Sequence, residues 1–339
     1  MRLEARAPGK LVALGEYAVL EGAPALVLAI DRYAVATLEP SRDGECHLRT
    51  RMAEQRDRSF PVAAPSGAEL VDTVIASATA AQPWNGMLDT SAFFAGDAKL
   101  GLGSSAAALC AWAGVWAAYV ARGSARPDTS LAALVGLHRA LQGGRGSGID
   151  VAASLTGGAV EFRLDVARAP HVGSVLLPNG VGFAGIFAGR SASTPEFVAH
   201  FRAFQVARPA EAAALLRRLS ATAEAGCAAA RGGAAEAFIE AIADYGRGLR
   251  DLGEAIGADI VTAEHRQIGE HARRHGVAYK VSGAGGGDLG LACALDAGAL
   301  EAFKASVRER GFRVIELGLA ERGLTVNELA DASVGERWE

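Results

Sequence analysis

Lys99-Leu-Gly-Leu-Gly-Ser-Ser-Ala-Ala107 heads an uncharged run that continues to Ala121. From Leu100 onward the run is long enough to cross a bilayer. It opens on glycine and serine, however, and is then mostly alanine, which contributes little to insertion. The better reading is a loop feeding a buried helix from Ser104 to Val120. At the head of that helix, Gly101 and Gly103 allow a tight turn and close approach to an anion. Ser104 and Ser105 stand where free N–H groups and the positive dipole end favour phosphate. A serine hydroxyl there can also join a Mg²⁺ shell of oxygen ligands. The loop is not a Walker A, since no Gly-Lys-Ser/Thr follows, nor is it G-x-G-x-x-G. A glycine turn with a serine N-cap is the plain structural alternative.

Two more glycine-rich loops flank other candidate residues. Ser282-Gly-Ala-Gly-Gly-Gly-Asp288 lies between two predicted strands, with Lys280 just before it. A hairpin needs one or two glycines, so this density points to close approach of a ligand. Gly143-Gly-Arg-Gly-Ser-Gly-Ile-Asp150 delivers one carboxylate at the head of an apolar segment. Asp150 suits a proton acceptor or orienting group in phosphoryl transfer; a dipole-favoured helix start explains it equally simply. Near the N-terminus, Lys10 and Glu16 stand either side of an apolar, strand-like run. Lys10 can keep a carboxylate ionised or bind substrate oxygens. Glu16 can assist Mg²⁺ or pair with a cation. Only four of the 34 basic residues are lysine (Lys10, Lys99, Lys280, Lys304), so a retained lysine marks a place that wants a compact ammonium.

Composition bounds the rest. The 339 residues are 50% hydrophobic and 21% charged, enough for about two domains with a sizeable core and no need of a staple. The net charge of −4 argues against an electrostatic nucleic-acid binder. Cys46, Cys110, Cys227 and Cys293 form no Cys-x-x-Cys or Cys/His cluster, so they read as free thiols of a reducing cytoplasm. The N-terminal decapeptide has no apolar signal region. Short strands are expected over 3–7, 10–14 and 25–38, and a helix over 67–81. Ser130 is expected to cap a helix ending at Leu141, with a further helix from about Ile149. Strands over 158–187, helices over 194–275 and a closing strand–loop–strand–helix–strand complete an α+β chain of two lobes. The boundary falls near 180, dividing 1–180 from 181–339.

Together and in order, residues 7–26 (APGKLVALGEYAVLEGAPAL), 99–107 (KLGLGSSAA) and 281–290 (VSGAGGGDLG) resemble the three motifs of the GHMP kinase superfamily. The resemblance spans nearly the whole chain. It implies an N-terminal lobe like ribosomal protein S5 domain 2 and a ferredoxin-like C-terminal lobe, with ATP between them. Within the superfamily, four features are similar to the phosphomevalonate kinases: Tyr17 after Gly-Glu, Lys99 before the phosphate loop, Gly189-Arg-Ser-Ala-Ser-Thr194, and Tyr279–Asp288 with Val281 in place of a customary proline.

That resemblance implies ATP-dependent phosphorylation of (R)-5-phosphomevalonate, with Mg²⁺, in isoprenoid synthesis. Kinases of an alcohol such as mevalonate, and a non-catalytic sensor, are the alternatives. It further implies a nucleotide held by Lys99, Gly101, Leu102, Gly103, Ser104, Ser105 and Ala106, and Mg²⁺ by Ser105 and Glu16. Lys10 and Asp150 would face the acceptor oxygen. Tyr17, Arg145, Ser147, Gly148, Arg190, Ser193, Thr194, Lys280, Ser282, Gly283, Ala284 and Gly285 would contact the phosphorylated substrate. A cytoplasmic monomer or homodimer, touching neither nucleic acid nor membrane, completes the expectation.

Overall fold

Two long strands, β1 (Arg2–Leu14) and β2 (Ala25–Pro40), form the antiparallel spine of the computed structural model. The structure describes residues 2–78, 80, 82–121, 127–144, 146–189 and 194–329, the side chains of Thr194 and Pro195 excepted. The two short runs expected before residue 15 are one strand. Its ladder register shifts between Pro8 and Gly9, where proline offers no N–H to the ladder. A 3₁₀ turn (Ala18–Glu21) links β1 to β2.

Next come the hairpin β3 (Cys46–Arg51) and β4 (Gln55–Phe60), and a short helix, α1 (Glu69–Ile75). Strand β5 (Trp84–Asp89) follows. Its Trp-Asn-Gly-Met-Leu-Asp run holds no β-branched residue and so carries little strand signal. Its Trp84 packs in the core against Trp112 and Trp116 at centroid distances of 5.7 and 5.8 Å. The small hairpin β6 (Phe94–Ala95) and β7 (Ala98–Lys99) then leads into the first glycine loop.

Helix α2 (Ser104–Val120) has the predicted limits and is buried almost all the way round. Its apolar face is continuous because it is the centre of the lobe. Among the described residues, no helix is long and apolar enough to cross a membrane. Helix α3 (Leu131–Leu141) starts at Ser130, whose side chain accepts from Ala133 N. Helix α4 (Ile149–Thr156) follows the GSGID loop, then β8 (Ala159–Leu164) and β9 (Pro170–Val175).

The second lobe has β10 (Gly182–Phe187), helices α5 (Thr194–Ala207), α6 (Pro209–Gly232), α7 (Ala235–Ile256) and α8 (Ala263–Arg274), then β11 (Ala278–Val281), β12 (Leu289–Ala294), α9 (Ala297–Arg308) and β13 (Arg313–Ile315). Its sheet runs β11-β12-β10-β13. The last strand, β14 (Thr325–Leu329), does not stay with it. It returns to the first, eight-stranded sheet and pairs antiparallel with β1, Leu3 opposite Glu328. The segment 181–339 is therefore not confined to the second lobe. Edge pairing uses backbone groups, so a half-exposed run such as Thr-Val-Asn-Glu-Leu carries little side-chain signal of being a strand.

Candidate active site

Two of the glycine-rich loops, the one at 99–107 and SGAGGGD, meet at Lys10. Lys10 lies on β1 and is only 7% exposed. Its N–H donates to Leu102 O at 2.8 Å, and its ammonium donates to Gly101 O at 3.2 Å. Gly9 permits this approach, since a Cβ there would stand 2.6 Å from Leu102 O. Gly103 is the N-cap of α2 in a left-handed conformation (φ 79°), and a methyl on it would meet Lys10 Cγ at 2.8 Å. The loop is thus folded down onto the lysine. It leaves the first N–H groups of α2 without helical partners, as any helix start does. Ser104 is buried and Ser105 half-buried at that start.

The SGAGGGD loop closes on the same point. Ser282 Oγ accepts from Val12 N at 2.8 Å and donates to Val12 O at 3.1 Å. Tyr17 OH donates to Ala284 O at 2.5 Å. A Cβ built on Gly283 lies 3.9 Å from Lys10 Nζ, and one on Gly101 would strike Asp288 at 2.6 Å. The first and third glycine loops therefore touch. Asp288 itself sits at φ 56°, a region aspartate tolerates better than most residues. Behind the loop, buried His265 bonds Gly287 O at 2.9 Å and Tyr279 OH at 2.7 Å.

Asp150 is in the first turn of α4 and is half-buried. One turn later on the same face, Ser154 Oγ donates to Pro8 O at 2.7 Å. That bond turns the Asp150 face toward β1, two residues from Lys10. Buried His138 on α3 is held below the ordinary histidine range, first by burial and also by Lys99, while Asp150 opposes the shift. His138, Lys99 and Asp150 are therefore electrostatic neighbours. Arg139 supports the loop before Asp150, donating to Gly146 O at 3.2 Å and Ser147 O at 3.0 Å. Gly148 (φ 96°) must remain glycine, because a Cβ would meet Val135 at 2.7 Å.

Two expected roles meet a different geometry. Glu16 is buried, and its Oε1 is paired with Lys280 and accepts Gly283 N–H at 3.2 Å. Lys280 has no exposed side-chain surface and also donates to Val12 O at 3.2 Å. Burial pushes its ammonium below the ordinary lysine range, with Glu16 opposing. Neither group faces open space as a metal or substrate ligand must. Each is committed to the other because leaving either charge alone in the interior is costly.

Of the nucleotide residues, Lys99 is exposed beside the loop and Leu102 and Ala106 are buried beneath it. Arg145, Arg190 and Ser193 lie outside the described residues, as does the side chain of Thr194. Four supporting residues escaped the sequence reading: Ser154, Arg139, His138 and His265. Ser154, Arg139 and His138 showed only as polar residues in largely apolar helices, and His265 as one polar residue among many on α8.

Among the described residues, no group of three His, Cys, Asp or Glu could hold a metal. Mg²⁺ keeps several waters and can be carried mainly by substrate phosphate oxygens, with few protein ligands. Ser105 fits such a shell; Glu16, already paired, does not.

No family model matches the chain. It is 26% identical over 331 residues to the phosphomevalonate kinase of Streptomyces sp. (strain CL190), covering 84% of this chain and 88% of that one. The Lin0012 protein of Listeria innocua superposes with a TM-score of 0.85 at 24% identity, over 97% of this chain and all of the other. The phosphomevalonate kinase of Streptococcus pneumoniae, solved with phosphomevalonate and AMPPNP, gives 0.76 at 21%, over 93% and 99%. The architecture is that of the GHMP kinases, mevalonate kinase and galactokinase included. In fold, motifs and sequence match the chain is similar to that superfamily. Within it, the sequence resembles phosphomevalonate kinase.

Proposed function

We propose that this chain transfers the γ-phosphoryl group of ATP to the phosphate of (R)-5-phosphomevalonate, giving ADP and 5-diphosphomevalonate. The observation that carries the reading is the convergence of the helix-α2 loop, the SGAGGGD loop and Lys10 on one point. It occurs in a chain whose sequence resembles phosphomevalonate kinase.

The chemistry follows from charge. Acceptor and donor are both phosphates, and two unit charges 4 Å apart repel by about 4 kcal/mol at an effective dielectric of 20. Cations must offset that repulsion at the transferring group. In this reading, Lys10 spends one donor on Gly101 O and keeps two of its three for phosphate oxygens. Ser105 and the free N–H groups of α2 hold the nucleotide phosphates, and Lys99 stands at the rim. Mg²⁺ with Ser105 would neutralise further phosphate charge. A phosphate acceptor is already mostly ionised near neutral pH, with a second pKa of about 6. Asp150 therefore orients the acceptor and takes any residual proton. The four cysteines are free and buried, which fits a reducing cytoplasm.

The test is ADP release with ATP and Mg²⁺, supplied separately with 5-phosphomevalonate, mevalonate, homoserine and galactose. Turnover with 5-phosphomevalonate alone is the expected result. Turnover with mevalonate instead would keep the mechanism and change the acceptor. Lys10→Met and Asp150→Asn should each lower kcat by about 10²-fold or more while the protein stays folded. Near-normal turnover in both would sink these roles.

A further inference from the structure

We propose that the buried Glu16–Lys280 pair is a positioning clamp between the two lobes that sets where the SGAGGGD loop stands over Lys10, and that neither residue contacts metal or substrate. The proposal rests on the kinase reading for its catalytic consequence, though not for its structural one.

Glu16 lies in the sharp turn after β1, between Gly15 (φ 103°) and Tyr17 (φ 61°). Lys280 lies on β11 of the other sheet. Their ion pair joins the lobes at one carboxylate oxygen, and the same oxygen accepts the N–H of Gly283. Around it, Tyr245 OH on α7 donates to Glu16 O at 2.7 Å, and the Tyr245 ring lies 5.8 Å from the Lys280 ammonium. Val12 O takes a further Lys280 donor. Lys280 thus has a carboxylate, a carbonyl and an aromatic face about it, and no opening.

Gly283, held by Glu16, is the loop residue whose Cβ position is 3.9 Å from Lys10 Nζ. A shift of the carboxylate moves Gly283, and Gly283 bounds the space of the Lys10 ammonium. The second oxygen, Glu16 Oε2, is buried without a hydrogen-bond partner, so the carboxylate depends on the contacts at Oε1. Lys10 is close enough to act electrostatically on Lys280. If Lys280 loses its charge, the Glu16 carboxylate has Lys10 as its nearby cation. Lys10 would then be drawn off the phosphate loop.

The experiment is a double-mutant cycle on the full chain: Glu16→Gln, Lys280→Met, and both together. Two readouts are used. Hydrogen exchange of amides 282–287 without any substrate reports the clamp itself, and kcat with 5-phosphomevalonate and ATP reports its consequence. Lys280→Met should speed exchange in the loop roughly tenfold and lower kcat by about 10²-fold. The double variant should recover at least about tenfold in kcat and most of the protection, because the coupling of a charge pair is lost with both partners. A double variant as inactive as Lys280→Met, with the loop protected in both, overturns the proposal.

Should Lys280→Met fail to fold, Glu16→Gln decides. An unchanged Mg²⁺ requirement with faster loop exchange supports the clamp. A half-saturating Mg²⁺ concentration raised about tenfold or more makes Glu16 a metal ligand and overturns it. If wild type turns over none of the acceptors, the exchange data still judge the clamp, and the failure belongs to the functional reading.

Discussion

Gly103→Ala should damage stability and activity together, and the structure gives both sizes. Gly103 has φ 79°, a left-handed conformation that costs an L-residue about 1–2 kcal/mol. The added methyl would stand 2.8 Å from Lys10 Cγ, whereas carbon atoms rest at about 3.5–4.0 Å. Either the loop or the lysine must therefore yield by about 1 Å. Overpacking of this kind adds roughly 1–3 kcal/mol, for a total of about 2–5 kcal/mol. A displacement near 1 Å at a positioned group costs about 10²-fold in rate.

Gly44→Ala is the matched control. Its φ is also positive, at 91°, but nothing lies within 4 Å of the added methyl. It should lose about 1 kcal/mol and no turnover. Thermal unfolding by circular dichroism gives the first quantity and steady-state kcat the second. If Gly103→Ala kept wild-type kcat and unfolded alongside Gly44→Ala, the close seating of the loop on Lys10 would be refuted.

Three further outcomes are expected. Arg139→Ala removes the donors that hold Gly146 O and Ser147 O; it should raise KM for the acceptor by about tenfold, the value of one hydrogen bond of about 1.4 kcal/mol, and an unchanged KM would remove Arg139 from this role. Burial lowers the His138 pKa from 6.5, so the unfolded chain takes up the proton first. Its stabilising contribution is then complete above pH 6.5 and is lost as the pH falls, and denaturant titrations of His138→Gln should show a flatter acid slope than wild type. Burial pushes the Cys227 and Cys293 thiols up to about 12, and raises Cys46 and Cys110 as well. Thiol reagents should label the native protein very slowly and all four cysteines after unfolding; rapid native labelling would contradict their burial.

The sequence by itself determined the elements whose signals are local. Gly103 before Ser104 marks the start of α2, Ser130 caps α3, and the glycines before Asp150 bring the chain into α4. The three motifs were legible because each must let backbone approach something closely, and only glycine does this. Of the four retained lysines, Lys10, Lys280 and Lys304 are buried and Lys99 is exposed. What each one does was not legible. Lys10 and Lys280 both lie on strands beside glycines, yet Lys10 reaches the phosphate loop and Lys280 meets Glu16 across the lobes.

Only the tertiary structure decided those partners, since the pair is separated by most of the chain and local periodicity does not encode distant pairing. The same holds for α2, whose apolar run suits a membrane or a core until the sheet is wrapped around it. It holds also for β14, a strand only because the edge of β1 is there to pair with it. Charge neutralisation, burial and edge pairing are properties of surroundings, and the fold supplies the surroundings.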